Sequence, residues 1–190
     1  IEGELAIGGR MPSELVEEAG GTPLFVYSAE LMRRRVAELR AVMPERLKLH
    51  YAIKANSYRP ILELMRDLVD GFDIASAGEL AMAPEAGPDP AVISFAGPGK
   101  RDGELEQAIM QGVTLNLESE GEARRALAVA EQLGEVPRLA IRVNPSFELR
   151  GSGMKMGGGA KPFGIDEERV PVLAREVIAR FLPVLPTAPE

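Results

Sequence analysis

Short runs of β-branched and aromatic residues alternate with longer runs in which apolar residues recur every three or four positions. The short runs predict strands, and the longer runs predict amphipathic helices. The predicted strands cover residues 24–27, 47–53, 71–75, 91–95, 113–117 and 138–143. The predicted helices cover residues 13–19, 28–43, 60–69, 78–86, 102–110 and 119–133, and a last one begins at a cap on Asp166. The pattern therefore predicts an α/β protein with five consecutive strand-then-helix units.

Such units imply a parallel sheet with right-handed crossovers, either an open doubly wound sheet or a (β/α)8 TIM-type barrel. No G-x-G-x-x-G sequence opens a predicted helix, so the usual sign of a dinucleotide-binding open sheet is missing. We expect the barrel, here incomplete, because a whole barrel takes eight units and about 250 residues. Residues 181–190 fit neither the last helix nor a sixth strand, and we expect an irregular tail or a stitched segment there.

Composition narrows the functional classes. The net charge is −7 without a basic cluster, so we expect neither nucleic acid nor membrane insertion. No apolar run approaches the roughly 20 residues of a transmembrane helix and no signal peptide opens the chain, which favours a cytoplasmic protein. Cysteine is absent and His50 is the single histidine, which excludes a thiol nucleophile and a His-rich metal site. A carboxylate metal site stays open, but we expect no metal.

In a parallel barrel the reactive side chains lie at the carboxyl ends of the strands. This rule singles out Lys54, Asp73 and the segments 94–100, 116–118 and 142–144. Lys54 follows the apolar stretch 51–53, and an apolar setting disfavours the charged form of an amine. A neutral lysine can attack an aldehyde, although a solvated strand-end lysine without a chemical role fits the same position.

The residues around this lysine, His50-Tyr51-Ala52-Ile53-Lys54-Ala55-Asn56, resemble the Y-A-[VIM]-K-A-N motif of the fold-type III pyridoxal-phosphate enzymes, the alanine racemase-like barrel family. Further segments resemble its diaminopimelate and ornithine decarboxylase branch in the same order, over about residues 3 to 175. They are Gly-Thr-Pro-Leu-Phe-Val-Tyr at 21–27, Gly-Phe-Asp-Ile-Ala-Ser-Ala-Gly-Glu-Leu at 71–80, Ile-Ser-Phe-Ala-Gly-Pro-Gly-Lys at 93–100, Ile-Arg-Val-Asn-Pro at 141–145 and Lys-Pro-Phe-Gly-Ile at 161–165. Segments 95–100 and 151–159 look most like the exosortase-associated decarboxylase-like proteins of that branch.

The resemblance implies decarboxylation of an amino acid with pyridoxal 5'-phosphate, which Lys54 would hold as a Schiff base. It implies cofactor-binding roles for Lys54, Ala52, Asp73, Arg142 and Glu79 as well. A helix N-cap is the other interpretation of Asp73, although Ser76 competes for that cap. Glu79 also suits a first-turn acid favoured by the helix dipole. Arg142 also suits an ion pair with Asp73 or Glu79, which is compatible with a functional role.

The resemblance further implies a β-domain after the barrel and a homodimer that completes the active site. Residues 1–27 would then associate with that β-domain, and residues 28–180 would form the partial, pyridoxal-phosphate-binding barrel. Two alternatives stay open: an amino-acid racemase of the same fold, for which no opposed second base is evident, and a non-catalytic pyridoxal-phosphate-binding barrel. The glycine-rich run 156–161 resembles an anion-binding nest, but we expect a substrate-facing loop there. The sequence leaves the identity of the amino acid open.

Overall fold

The computed structural model describes residues 3, 5–85, 87–147 and 162–181, without the side chains of residues 84 and 85. Five strands form one parallel sheet in the order of the chain. They are β1 (His50–Ala52), β2 (Gly71–Ile74), β3 (Ile93–Phe95), β4 (Thr114–Leu117) and β5 (Leu139–Ile141). Two short strands, β6 (Val143–Asn144) and β7 (Ile165–Asp166), form a separate parallel pair.

Helices connect the strands of the sheet. Before it lie α1 (Pro12–Ala19) and α2 (Ala29–Val42), and the crossovers are α3 (Arg59–Arg66), α4 (Ala77–Glu85), α5 (Asp102–Gln111) and α6 (Glu120–Leu133). The last helix, α7 (Val170–Phe181), follows β7. The strand order never reverses, whereas a doubly wound sheet reverses its order at a switch point. The sheet is therefore a segment of a barrel wall, as the strand–helix pattern predicts.

The two faces of the sheet differ because successive side chains of a strand point to opposite sides. The face toward the helices is apolar, and its side chains are at most 1% exposed: Phe72, Ile74, Ile93, Phe95, Leu115 and Leu117. The opposite face carries Asp73, Ser94 and Asn116, which are half-buried. On that face the Asn116 amide donates to the Ser94 hydroxyl at 2.6 Å. Polar groups thus line the side of the sheet that a closed barrel would enclose.

Several predicted elements differ in the structure. The strand predicted at 138–143 is divided into β5 and β6, which belong to different sheets. The strand predicted at 24–27 is wrong: no described residue pairs with this exposed stretch, and a strand needs a neighbour for its backbone hydrogen bonds. β1 is shorter than predicted and ends in a 3-10 turn at Ile53–Ala55. The last helix begins at Val170 instead of following a cap on Asp166, because Asp166 is part of β7.

Two predicted segments lie outside the described residues. They are the glycine-rich loop, from residue 148 to 161, and the end of the chain beyond residue 181. Phe181 itself is the last residue of α7, so the helix extends one residue beyond the boundary predicted at 180.

Candidate active site

The turn after β1 is held by the residues on both sides of Lys54. Ile53 is fully buried, while the Tyr51 hydroxyl donates to the backbone oxygen of Asn56 at 3.0 Å. The Asn56 side chain then accepts from the Tyr58 amide at 2.9 Å. Burial raises the pKa of Tyr51, and its hydrogen bond to Asn56 opposes that shift. The motif around Lys54 therefore builds a closed turn in which its neighbours have structural functions.

Lys54 itself is exposed within this turn, and its amine makes no hydrogen bond or ion pair with the described residues. The apolar setting expected for this amine is wrong for the described part of the chain. The reason is that the strand ends at Ala52 and the 3-10 turn buries Ile53 while leaving Lys54 in solvent. The structure thus presents a free primary amine at the carboxyl edge of the sheet.

Asp73 occupies the adjacent strand, where β2 pairs Asp73 with Ala52 on one side and with Ser94 on the other. Its half-buried carboxylate likewise has no hydrogen-bond or ion-pair partner in the described ranges. The side chain of Ala52 is small, so it leaves room beside this carboxylate. Lys54 and Asp73 are therefore neighbouring, uncommitted groups of opposite charge at one edge.

The start of α4 identifies which residues cap that helix. The Ser76 hydroxyl accepts from the Glu79 amide at 3.3 Å, and the Glu79 carboxylate accepts from the Ala75 amide at 2.8 Å. The first of these bonds makes Ser76 the N-cap of α4, and the second ties Glu79 to the segment just before the helix. The cap thus belongs to Ser76 and not to Asp73, and Glu79 is engaged as an acid of the first turn.

Arg142 lies between β5 and β6 and forms an ion pair with Glu118, the residue after β4. Its Nη1 donates to Oε1 and Oε2 of Glu118 at 3.0 and 3.2 Å. Its guanidinium also lies 5.2 Å from the centre of the Phe163 ring. The predicted pairing of Arg142 with Asp73 or Glu79 is wrong, because β3 and β4 separate β2 from β5, whereas Glu118 directly follows the strand adjacent to β5.

A second ion pair, between Lys100 and Glu122, lies next to the Arg142–Glu118 pair and is fully buried. Lys100 Nζ donates to Glu122 Oε1 at 2.9 Å, and the two side chains are 1% and 2% exposed. The same ammonium donates to the backbone oxygens of Gly97 and Asn116, both at 2.8 Å. Lys100 therefore uses all three of its donors inside the protein.

The sequence analysis placed Lys100 and Glu118 in strand-end segments, but it did not identify the ion-pair partner of either residue. It also missed Glu122, the partner of Lys100. The signal for Glu122 is its helical spacing, because Glu122, Ala126 and Ala130 occupy one buried stripe of α6. A charged residue on an apolar stripe needs a partner. That partner comes from the loop after β3, which the local sequence does not reveal.

Among the described residues, no group of three His, Cys, Asp or Glu side chains has the arrangement of a metal site. The described helices also include none that is both long and apolar enough to cross a membrane.

The sequence was compared with models of known protein families and with curated proteins. Residues 29–184 match the family model described as "Pyridoxal-dependent decarboxylase, pyridoxal binding domain". The chain is 38% identical over 167 residues to a diaminopimelate decarboxylase of Aquifex aeolicus, covering 87% of this chain and 39% of that protein. It is also 35% identical over 147 residues to an L-glutamyl-[BtrI acyl-carrier protein] decarboxylase of Niallia circulans, covering 77% of this chain and 34% of that protein.

Among solved structures, the chain resembles diaminopimelate decarboxylase from Helicobacter pylori complexed with L-lysine, with a TM-score of 0.77 and 31% identity. That match covers 85% of this chain and 42% of the other. The chain thus spans about two fifths of the length of the proteins it matches. These similarities confirm the resemblance inferred from the motifs, the partial barrel and pyridoxal phosphate as the cofactor of the family. The finer likeness to exosortase-associated proteins stays a prediction.

Proposed function

The chain belongs to the pyridoxal-dependent decarboxylases, and from that premise we propose that the natural protein containing it removes the carboxyl group of an amino acid, with pyridoxal 5'-phosphate bound at Lys54. The observation that carries this proposal is the exposed Lys54 amine, which is free of partners among the described residues at the carboxyl end of β1. Lys100, at the same edge, has every donor engaged and is 4% exposed. Among the described residues of this edge, an aldehyde cofactor therefore meets one available amine.

The donor set suits this cofactor. Lys54 supplies the amine that binds its aldehyde carbon, and Asp73 supplies a negative charge that favours a protonated nitrogen next to it. Ala52 presents only a methyl group beside Asp73, and Arg142 supplies a fixed positive charge. When bound, pyridoxal phosphate provides an electron sink for the pair left on the α carbon as carbon dioxide departs. The Lys54 amine would also be placed to move a proton to or from the reacting carbon.

Glu79 stays a predicted cofactor neighbour in this proposal. Its carboxylate already accepts from the Ala75 amide, so we assign it the role of orienting the segment between β2 and α4. The relatives act, by their names, on diaminopimelate and on a carrier-bound L-glutamyl group. We therefore propose an amino acid as the class of substrate and name no particular amino acid.

We further propose that the natural protein is a cytoplasmic homodimer with a β-domain. Residues 1–27 would associate with that domain, and residues 28–180 would form the cofactor-binding part of the barrel. The exposed apolar stretch at 24–27 supports the first assignment, because Phe25 and Tyr27 are 82% and 50% exposed. Light scattering of the natural protein tests the dimer.

Borohydride reduction tests the central proposal. The natural protein is loaded with pyridoxal 5'-phosphate, reduced and mapped by peptide mass spectrometry, and carbon dioxide release is measured with diaminopimelate and the common amino acids. We expect a phosphopyridoxyl group on Lys54 that Lys54→Arg abolishes, while Lys48→Arg, at an exposed lysine, retains it. Absence of that group overturns the proposal. Its presence without carbon dioxide or amine product overturns the decarboxylase, and exchange of the α hydrogen with solvent then separates a racemase from a non-catalytic barrel.

A further inference from the structure

Glu118 is the charged residue at which three segments of the carboxyl edge meet. Its side chain is 0% exposed. Besides Arg142, it accepts from the Gly97 amide at 2.7 Å and from the Gly164 amide at 3.2 Å. These donors belong to the loop after β3, the junction of β5 with β6, and the segment before β7. One carboxylate therefore fixes the relative positions of three loops.

The contacts of Glu118 use both of its oxygens. Oε1 accepts from Gly97 and Arg142, and Oε2 accepts from Arg142 and Gly164. A buried carboxylate with both oxygens occupied has no free face for a substrate. Its effect on chemistry must therefore pass through the groups that it holds.

Both glycines that donate to Glu118 have positive φ angles, +114° for Gly97 and +79° for Gly164. At Gly164 a Cβ atom would lie 2.9 Å from the backbone oxygen of Arg142. Glycine thus permits the positive φ at both positions and, at Gly164, the close approach of the backbone to Arg142. Both backbone donors to Glu118 are thus glycines in a conformation that other residues rarely adopt.

The Lys100–Glu122 pair holds the other side of the same arrangement. Glu122 accepts from the Glu118 amide at 3.3 Å, and Lys100 donates to the Gly97 oxygen. The peptide groups on either side of the Gly97 α carbon are therefore held by Glu118 and by Lys100. Two cations and two carboxylates are arranged together with no net charge, which suits their burial.

We propose that Glu118 is a positioning residue that fixes the Arg142 guanidinium against the Phe163 ring at the edge where Lys54 and Asp73 lie. This inference rests on the proposed function for its effect on catalysis, but the position of Arg142 can be measured independently. Arg142 is 32% exposed in its side chain and so is accessible to a reagent, while Glu118 is not. Glu118 thus acts through Arg142 and does not contact the substrate.

The experiment compares Glu118→Gln with Glu120→Gln, which removes a surface acid that pairs with Arg169. The first measurement is the rate at which phenylglyoxal modifies Arg142 in the cofactor-free natural protein, followed by peptide mapping. We expect a several-fold rise in Glu118→Gln and none in Glu120→Gln. Equal rates in the two variants overturn the inference, whether or not the protein is a decarboxylase.

The second measurement is a double-mutant cycle on activity and on pyridoxal phosphate affinity by fluorescence titration. Misplacement of a charged group costs roughly 10- to 100-fold in rate, so we expect such a fall in kcat for Glu118→Gln. In an Arg142→Gln background, Glu118→Gln should have no further effect, whereas a residue that acts only on stability would add its effect to that of Arg142→Gln. Additive losses overturn the positioning role.

Glu118→Asp serves if Glu118→Gln does not fold. It keeps the charge but shortens the side chain by one methylene, so we expect an intermediate Arg142 modification rate. A modification rate equal to that of wild type in folded Glu118→Asp counts against the inference. If wild type itself releases no carbon dioxide, the proposed function fails and the modification rates alone decide the position of Arg142.

Discussion

At the carboxyl ends of β3, β4 and β5 the charged side chains hold one another, whereas at the ends of β1 and β2 they stand alone. Lys100, Glu118, Glu122 and Arg142 form two ion pairs that also bind backbone groups of the loops. Lys54 and Asp73 have no partner among the described residues. The same edge thus combines a fixed part with a part that is free to react.

The free part is possible because β1 and β2 are held at their other ends. Asp70, just before β2, accepts from the Leu49 amide at 2.6 Å and pairs with Arg40 at 2.7 Å. The Tyr51 and Phe72 rings also meet edge to face with centroids 6.2 Å apart. The stabilising contacts thus lie toward the amino ends of β1 and β2, and the unpaired charged groups lie toward their carboxyl ends.

The largest expected effect comes from breaking the fixed part. Lys100→Met leaves the Glu122 carboxylate buried without its cation, and Glu122 Oε2 already has no hydrogen-bond partner among the described residues. Removing one partner of a buried ion pair costs about 3–5 kcal/mol in the free energy of unfolding. Urea denaturation of the natural protein measures this loss.

A double variant separates charge from packing in that prediction. Lys100→Met with Glu122→Leu removes both charges, so we expect it to regain much of the stability that Lys100→Met loses. Lys48→Met, at an exposed lysine, is the control for loss of a cation alone. A Lys100→Met protein as stable as this control would show that the ion pair does not hold the edge.

The next effect concerns the amino ends of β1 and β2. A Cβ atom at Gly71 would lie 2.1 Å from the backbone oxygen of Val92 and 2.7 Å from the His50 ring. Gly71→Ala must therefore move backbone, and overpacking of this kind costs about 1–3 kcal/mol. Thermal unfolding measures the loss, and Gly99→Ala is the matched control because no atom lies within 4 Å of its added Cβ. Equal stability of the two variants would contradict this account.

A smaller, pH-dependent effect belongs to Asp70. Its hydrogen bond from the Leu49 amide, and secondly that from Arg40, hold the pKa of its carboxyl below the ordinary value. Because the folded pKa is lowered, its stabilisation is present above the unfolded value, about pH 4. It is lost as the pH falls through the folded pKa.

Asp70→Asn should therefore cost up to about 1 kcal/mol at neutral pH, with a difference from wild type that shrinks in acid. Urea denaturation from pH 7 to pH 2 measures the difference. A difference that grows as the pH falls would have the wrong sign.

The smallest effect on stability is expected in the free part. Asp73→Asn removes a carboxylate that pairs with no described residue, so the free energy of unfolding should change by less than about 0.5 kcal/mol. Under the proposed function, the rate of decarboxylation should fall at least about tenfold, because a negative charge placed beside the reacting groups is lost. A stability loss above about 1 kcal/mol with an unchanged rate of decarboxylation would show that Asp73 stabilises the fold and has no role in the reaction.

Local sequence was sufficient for the sheet and for the position of Lys54. The alternation of short and long apolar runs predicts the five parallel strands, and the motif around Lys54 places it after β1. Contacts between residues far apart in the sequence, such as strand pairs and ion pairs, could not be predicted from local sequence. Residues 24–27 have a strand-like composition, but no described residue provides the backbone groups that a strand needs.

The partner of Arg142 shows the same limit. Spacing along the chain offered Asp73 and Glu79 as candidates, whereas Glu118 is nearest because β4 and β5 are adjacent. Adjacency of strands is set by the whole sheet and not by the residues near Arg142. Glu122 could have been identified from its place on the buried stripe of α6, but its cation could not.

The engagement of Lys100 has a consequence for chemoselectivity. A lysine reacts with electrophiles through its nitrogen, whereas the nitrogen of Lys100 is buried and donates to three acceptors in the interior. Acylating and aldehyde reagents should therefore label Lys54 and spare Lys100, although both lysines lie at one edge. The fold thus distinguishes two chemically identical amines, because one is already bonded in the interior and the other is accessible to a reagent.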